Sequence, residues 1–401
     1  MIKEFTVGNF LSFKEKRTIS FKAQSISDLP ENKLIKFGKK KFLPSVVIYG
    51  ANSSGKSNLI TALQRMQKMV WLSVKLNPSD ELNYSPFLLS DDGEKPTFFE
   101  IVFVIKEQCY KYGFEYNKTE IVKEWLFIQK STSYKPLFLR TIEGIGVFDE
   151  FEEGKEKEKF TENNRLFISL VAQMGGNTSK QIMEWFEQFF VTTGLDNKYV
   201  EDFTIEMFHK NLAGIKESLQ LYEKLQLGFN EIETVENKDG DKKKIITLNT
   251  KHNVYDNKGK VVGKISWNKD KHESEGTKKI IGLSGVIFDI LFNSKMLIID
   301  ELDAKLHPLI TMQIVDLFNN PTTNPNGAQL LFATHDTNLL SNEIFRRDQV
   351  WFTEKDEIEQ TDLYSLYSFH FPDGTRIRND ANLEKNYIRG RYGAIPYITN
   401  Y

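Results

Sequence analysis

The octapeptide GANSSGKS, residues 50–57, constrains this chain more than any other stretch of its sequence. An apolar run, SVVIY (45–49), precedes it, and apolar residues recur after it at Leu59, Ala62, Leu63, Met66 and Val70. The run reads as a buried strand, and the spacing that follows is one face of a helix. Strand, glycine-rich turn and helix in that order build a phosphate cradle. Gly50 and Gly55 permit the tight backbone path on which successive N–H groups converge on anionic oxygens. Asn52, Ser53, Ser54 and Asn58 complete the loop and its entry into the helix. Lys56 supplies a cation, and the helix N-terminus adds a partial positive charge. Ser57 offers a hydroxyl to the Mg²⁺ that accompanies a nucleoside triphosphate, so the pattern implies ATP and Mg²⁺ as cofactors.

Two later motifs extend the same chemistry. MLIIDELD (296–303) is an apolar strand that ends in acid. Asp300, at the strand's carboxyl end, can hold Mg²⁺ through water, and Glu301 can act as general base on an attacking water. THD (334–336) follows the apolar strand QLLFA and places His335 to sense a γ-phosphate. Between these strands, a helix is expected over 307–320, with Ile310, Ile314 and Leu317 on one face. Strand, helix, strand predicts a parallel sheet with crossover connections, an α/β fold.

The remainder divides by composition. TFFEIVFVI, CYKYGFEY, WLFIQK and PLFLR read as antiparallel strands beside the phosphate loop. From residue 148 the chain turns charged; EFEEGKEKEKFTENNR reads as a solvated loop. Helices over 180–190 and 211–225 and two hairpins, turning at Asp239-Gly240 and at Asn257-Lys258-Gly259, follow it. The expected units are 1–147 (first part of the nucleotide domain), 148–271 (an inserted helical and hairpin lobe) and 272–401 (its second part).

Charge and cysteine content narrow the setting. Lys plus Arg number 53 against 55 Asp plus Glu, so no strongly basic balance argues for nucleic acid, although a local patch would suffice. Cys109 is the single cysteine, which rules out an internal disulfide and suits a reducing compartment. The start MIKEFTVGNF lacks a basic-then-apolar leader, and the apolar run 280–292 is broken by Gly282, Ser284, Gly285 and Asp289. The expectation is a cytoplasmic protein that does not cross a membrane.

Taken together, these motifs resemble the SMC/RecF/OLD branch of ABC-type ATPases. The resemblance implies a P-loop domain with a mixed sheet and an inserted lobe, working as a homodimer or higher homo-oligomer. It implies that Asp303 reaches across the dimer as a D-loop aspartate, and that a signature motif is presented to the partner's γ-phosphate. Leu283-Ser284-Gly285 imitates such a signature but lies within a helical pattern. ESEGTKK (273–279) fits better: Ser274 would donate its hydroxyl, and Gly276 would allow close approach. Gln173 is the candidate Q-loop glutamine, and Asn9 and Ser12 in the opening IKEFTVGNFLSF are base-side candidates.

The C-terminal NLEKNYIRGRYGAIP interleaves Arg389 and Arg391 with Tyr387 and Tyr392, as a nucleic-acid contact, a partner contact or a terminal lid. With SEGTKK it is similar to the ATPase subunits of bacterial anti-phage systems, the RloA-like and abortive-infection group. That likeness implies an ATP-driven switch over a separate nuclease or toxin. A RecF-like DNA-repair ATPase and a non-catalytic ATP-dependent scaffold are the alternatives. A short stretch after THD argues against an appended nuclease domain.

Overall fold

The computed structural model describes residues 1–30, 33–91, 95–195, 198–229, 231–239 and 243–396. The chain opens with β1 (Ile2–Gly8), β2 (Arg17–Ser20), a small hairpin of β3 (Ile35–Phe37) and β4 (Lys40–Phe42), then β5 (Ser45–Tyr49) and α1 (Lys56–Leu72). There follow β6 (Thr97–Ile105), β7 (Gln108–Tyr116), β8 (Ile121–Lys130), β9 (Ser133–Thr141) and β10 (Gly144–Val147). With β1 and β2 these form one antiparallel sheet, ordered β10-β9-β8-β7-β6-β1-β2. Its inner face is aromatic: Phe99 meets Phe10 and Phe114 edge-on, an arrangement the ring quadrupole favours. Leu59, Leu63, Met66 and Val70 of α1 share that core, as their helical spacing predicts.

Next come α2 (Phe167–Gln173), α3 (Asn177–Glu187), β11 (Phe189–Thr193), α4 (Lys198–His209) and α5 (Ile215–Lys224). A meander of β12 (Glu231–Asp239), β13 (Lys243–Tyr255) and β14 (Val261–Asn268) leads into α6 (Lys269–His272) and α7 (Glu275–Phe292). The last third holds β15 (Met296–Asp300), α8 (Pro308–Asn319), β16 (Gln329–Ala333), β17 (Val350–Lys355), β18 (Thr361–Ser365) and α9 (Leu383–Ile388).

A second sheet runs β11-β15-β16-β5-β17-β18. All its pairings are parallel except β17 with β18. Every residue of β5 and β16 is buried, as expected of strands covered on both faces. The fold is therefore α/β, a P-loop architecture in which an antiparallel sheet packs beside a mainly parallel one. No helix among the described residues is long and apolar enough to cross a membrane.

The segment expected to belong wholly to the inserted lobe differs from that expectation. The helix read over 180–190 ends at Glu187, because Phe189 and Phe190 are drawn into β11. That strand pairs along the acidic strand from Phe189 opposite Met296 to Thr193 opposite Asp300. Trp185, Phe186 and Phe189 cluster with Phe103, so burial of aromatic area overrides local helical spacing. The charged stretch after 148 is not simply a solvated loop either. Phe151 is buried, and the Glu153 carboxylate accepts from the N–H groups of Thr178 and Ser179 and from the Ser179 hydroxyl, fixing the start of α3. The helix read over 211–225 is shorter, Ile215–Lys224, and enters through Gly214 at φ 103°. The turn at 257–259 is observed, with Asp256 accepting from the N–H groups of Lys258 and Lys260. Gly240 of the other turn lies outside the described residues.

One buried carboxylate ties the antiparallel sheet to the helices. Glu124 in β8 has no exposed surface. It accepts from the Tyr112 hydroxyl at 3.0 Å and from the N–H groups of Phe167 and Ile168 at 2.7 and 3.1 Å. It therefore caps α2, a helix that lacks a capping side chain of its own. Burial raises the Glu124 pKa, opposed by the Arg140 guanidinium and these donors. Glu124→Ala would leave two buried N–H groups unpaired beside Arg140 and should cost about 3–5 kcal/mol in urea unfolding. Glu124→Gln, which keeps an acceptor, should cost clearly less.

Candidate functional site

The carboxyl ends of β5, β15 and β16 lie on one edge of the parallel sheet, and the motif residues leave from that edge. After Tyr49 the chain turns at Gly50, where a Cβ would press on Ser54 Oγ and on Thr353 O and Oγ1, each 2.5 Å away. Gly55, at φ 112°, stands directly before α1. No side chain caps α1, and its first turn carries no acid, so its start is left without a side-chain partner. The loop is braced from beneath. The Ser54 hydroxyl pairs with that of Thr353 at 2.6 Å, and Thr361 donates to Ser54 O at 2.9 Å. Asn52, Ser53 and Ser57 are exposed.

Lys56 is buried, and its ammonium donates to Gly50 O at 2.8 Å and to Ala51 O at 3.0 Å. Burial lowers its pKa, while Asp300, Glu301 and Asp303 act in the opposite direction. The same three acids act on His335, whose pKa is lowered first by burial and then by Lys56. Lys56, Asp300, Glu301, Asp303 and His335 thus share one electrostatic neighbourhood. Within it, Asp300 Oδ1 and Asp303 Oδ1 are buried atoms without a hydrogen-bond partner. Such orphaned acceptors fit a cation or its bound water. Glu301 is held at φ 53°, a left-handed backbone at a non-glycine residue of the kind found where function over-determines geometry.

Ser274 and Gly276 are elsewhere. Ser274 is the exposed N-cap of α7, accepting from Thr277 N at 3.1 Å. A Cβ on Gly276 would lie 3.1 Å from Lys305 O, and Glu275 pairs with Lys305, so this helix start abuts the loop 303–305. Lys279, one turn further on, is buried and donates to Leu302 O at 2.9 Å and to Ala304 O at 2.5 Å. The imitation signature is structural: Ser284 is buried, bonded to Tyr222 and to Ile281 O, and Gly285 lets α4 approach through Thr204.

Of the other sequence candidates, Ser12 abuts the loop, its hydroxyl 3.0 Å from where a Cβ on Gly55 would lie, whereas Gln173 is not brought there. Gln173 ends α2, exposed, and α2 packs along the far half of α1, where the Ser169 hydroxyl donates to Val70 O. Asn9 spends its side chain on Lys95 O and Phe87 N. The Ser12 hydroxyl is held by Asn58 at 2.7 Å and by Thr361 at 2.6 Å, which makes Asn58 a brace as well. Tyr387 and Tyr392 are buried, while Arg389 and Arg391 are exposed, so the aromatic half of the C-terminal pattern is core.

Sequence reasoning missed Gly194. Its N–H donates to Asp300 O at 2.7 Å, and a Cβ there would collide with the Glu301 carbonyl and sit 2.8 Å from Lys279 Nζ. The only signal is a glycine after FFVTT, a strand whose first two residues read as the end of a helix. Gly194→Ala must displace the Glu301 turn. It should cost about 1–3 kcal/mol in urea unfolding, and hydrolysis should fall more than ATP binding does.

The solved structures similar to this chain include two SMC heads. One is the SMC head domain from Thermotoga maritima, 13% identical, TM-score 0.43, over 91% of this chain and 98% of that one. The other is an SmcHead bound to the C-winged helix domain of ScpA, 13% identical, TM-score 0.49, over 91% and 97%. No curated protein matches the chain. Residues 45–341 match the family described as "AAA domain, putative AbiEii toxin, Type IV TA system". That span takes in the phosphate loop, the acidic strand end and His335, and the chain belongs to this family of AAA-type ATPase domains.

Proposed function

We propose that this chain hydrolyses MgATP at a site completed by a second copy of itself, and that the resulting dimer cycle switches a separate effector, a nuclease or toxin, in anti-phage defence. One observation carries the reading: an uncapped helix start with Lys56 faces the acidic strand end Asp300–Glu301 along one edge of a parallel sheet. The loop N–H groups and Lys56 bind the triphosphate. Ser57 and Asp300 would hold Mg²⁺, which when bound neutralises charge on the β- and γ-oxygens. Glu301 accepts the proton of the attacking water, and His335, kept neutral by burial, orients that water. Positioning and electrostatics carry most of such a reaction.

The second copy is argued from what one copy leaves apart. Ser274 and Gly276 lie beside the chain's own 303–305 loop, not its phosphate loop. A head-to-tail partner would receive them at its γ-phosphate, with Asp303 at the seam. Lys279 links this helix start to the backbone at 302–304, so closure at one site bears on the acidic turn. The defence role is supported by the family description, which names a toxin of a toxin–antitoxin system.

Glu301→Gln should lower turnover about 100-fold. With ATP and Mg²⁺ it should give dimers that persist during light-scattering chromatography, while wild-type dimers decay as ATP is consumed. A mass indifferent to nucleotide in both proteins would sink the shared-site mechanism. Lys56→Ala and Ser274→Arg should each be inactive alone, and mixing them should restore hydrolysis, because one of the two composite sites is then intact.

A further inference from the structure

We propose that Glu273 is a positioning residue: through it the β12–β14 meander sets the Ser274 hydroxyl, and so governs hydrolysis at the facing copy's phosphate loop rather than at its own. The inference rests on the shared-site reading given above and adds a control exerted on it by the inserted lobe.

The geometry begins one residue before Ser274. Glu273 closes α6 in extended backbone, its N–H donating to Lys269 O at 3.1 Å, and Ser274 caps α7 directly after it. The Glu273 side chain turns away from solvent, with 7% of its surface exposed. There it meets β13, the middle strand of the meander. Glu273 Oε1 accepts from the Thr250 hydroxyl at 2.6 Å and pairs with His252 Nε2 at 2.9 Å. Thr250 is fully buried. Trp267 of β14 lies over the His252 ring with centroids 4.1 Å apart, and Phe229 meets the same imidazole edge-on.

Such a contact transmits position. A nearly buried carboxylate needs its donors, so sliding the meander against α6 would leave Glu273 or Thr250 unpaired. The rings about His252 limit how far it can turn to compensate. The meander and the residue before Ser274 therefore move together.

Two anchors bracket the serine. After it, Glu275 pairs with Lys305, and Lys279 donates to Leu302 O and Ala304 O, which ties this helix start to the acidic turn of its own chain. Before it, Glu273 ties the same start to the meander. Residues 254–266, which form the far end of β13, the turn and most of β14, are all exposed. The meander is a lever with its root beside Ser274 and its tip in solvent, whereas the phosphate loop follows β5 in a different sheet.

The test is ATPase measurement on Glu273→Ala and Glu273→Gln, each alone and mixed with Lys56→Ala, with Lys56→Ala plus Ser274→Arg as the control mixture. Glu273→Ala alone should turn over at least about tenfold more slowly, with unchanged ATP affinity in titration calorimetry. Glu273→Gln, which keeps an oxygen for Thr250 and His252, should stay near wild type. Mixing Glu273→Ala with Lys56→Ala should restore hydrolysis to the level of the control mixture, because the Lys56→Ala chain brings an intact Ser274 to the other's loop. Thr250→Val combined with His252→Leu should reproduce the Glu273→Ala defect, and adding Glu273→Ala to that pair should make it no worse. If Glu273→Ala does not fold, the meander double variant takes its place in the mixture. Full activity in Glu273→Ala would overturn the proposal. Failure of its mixture where the control mixture works would also overturn it, since Glu273 would then act on its own loop. If the control mixture fails too, the shared-site reading falls and takes the positioning role with it.

Discussion

A buried ammonium held by two carbonyls is the interaction on which the arrangement of this protein depends. Lys56 donates to Gly50 O and Ala51 O of its own loop, at the foot of an uncapped helix and in the field of three carboxylates. The geometry is satisfied for the cation but not for its surroundings: the helix N–H groups lack a side-chain acceptor, and two carboxylate oxygens lack a donor. Donors without acceptors and acceptors without donors, side by side, define a site that a phosphate chain with its metal would complete. The rest of the fold keeps these groups together. Hydroxyls of Thr353 and Thr361 clamp the loop from below, Gly194 admits the Glu301 turn, and Lys279 binds the backbone behind it.

Much of the nucleotide-binding sheet was legible because its strands announce themselves locally. SVVIY, MLIID and QLLFA are continuous apolar runs, each buried on both faces, and each is followed by the chemistry it carries. The antiparallel strands were legible from short runs rich in aromatic and β-branched residues. What the sequence hid depends on tertiary contacts. Phe189 and Phe190 continue the spacing of α3, and aromatic burial beside Trp185 together with pairing along the acidic strand turns them into β11. Glu153 and Glu124 look like solvated charges in one dimension and cap helices in three. Asn9 and Ser12 fall near the phosphate loop but are consumed by their neighbours; no spacing rule reveals a side chain already spent. Ser284 and Gly285 show the converse, a motif-like triplet whose small residues serve helix packing.

The order of strands around β5 bears on how the chain reaches its native state. The strand that carries the phosphate loop is complete at Tyr49, yet its two partners are β16 and β17, which begin at Gln329 and Val350. During synthesis, Val46, Val47 and Ile48 leave the ribosome hundreds of residues before either neighbour exists. At 5–20 residues per second that is on the order of tens of seconds of exposure. The antiparallel sheet can assemble meanwhile from hairpins, since β6 to β10 pair in sequence. The parallel sheet closes late, across loops whose entropy is lost before contacts reward it. A nascent chain of this kind holds a buried, apolar strand open for most of its synthesis, and the nucleotide loop is among the last parts of the molecule to acquire its shape.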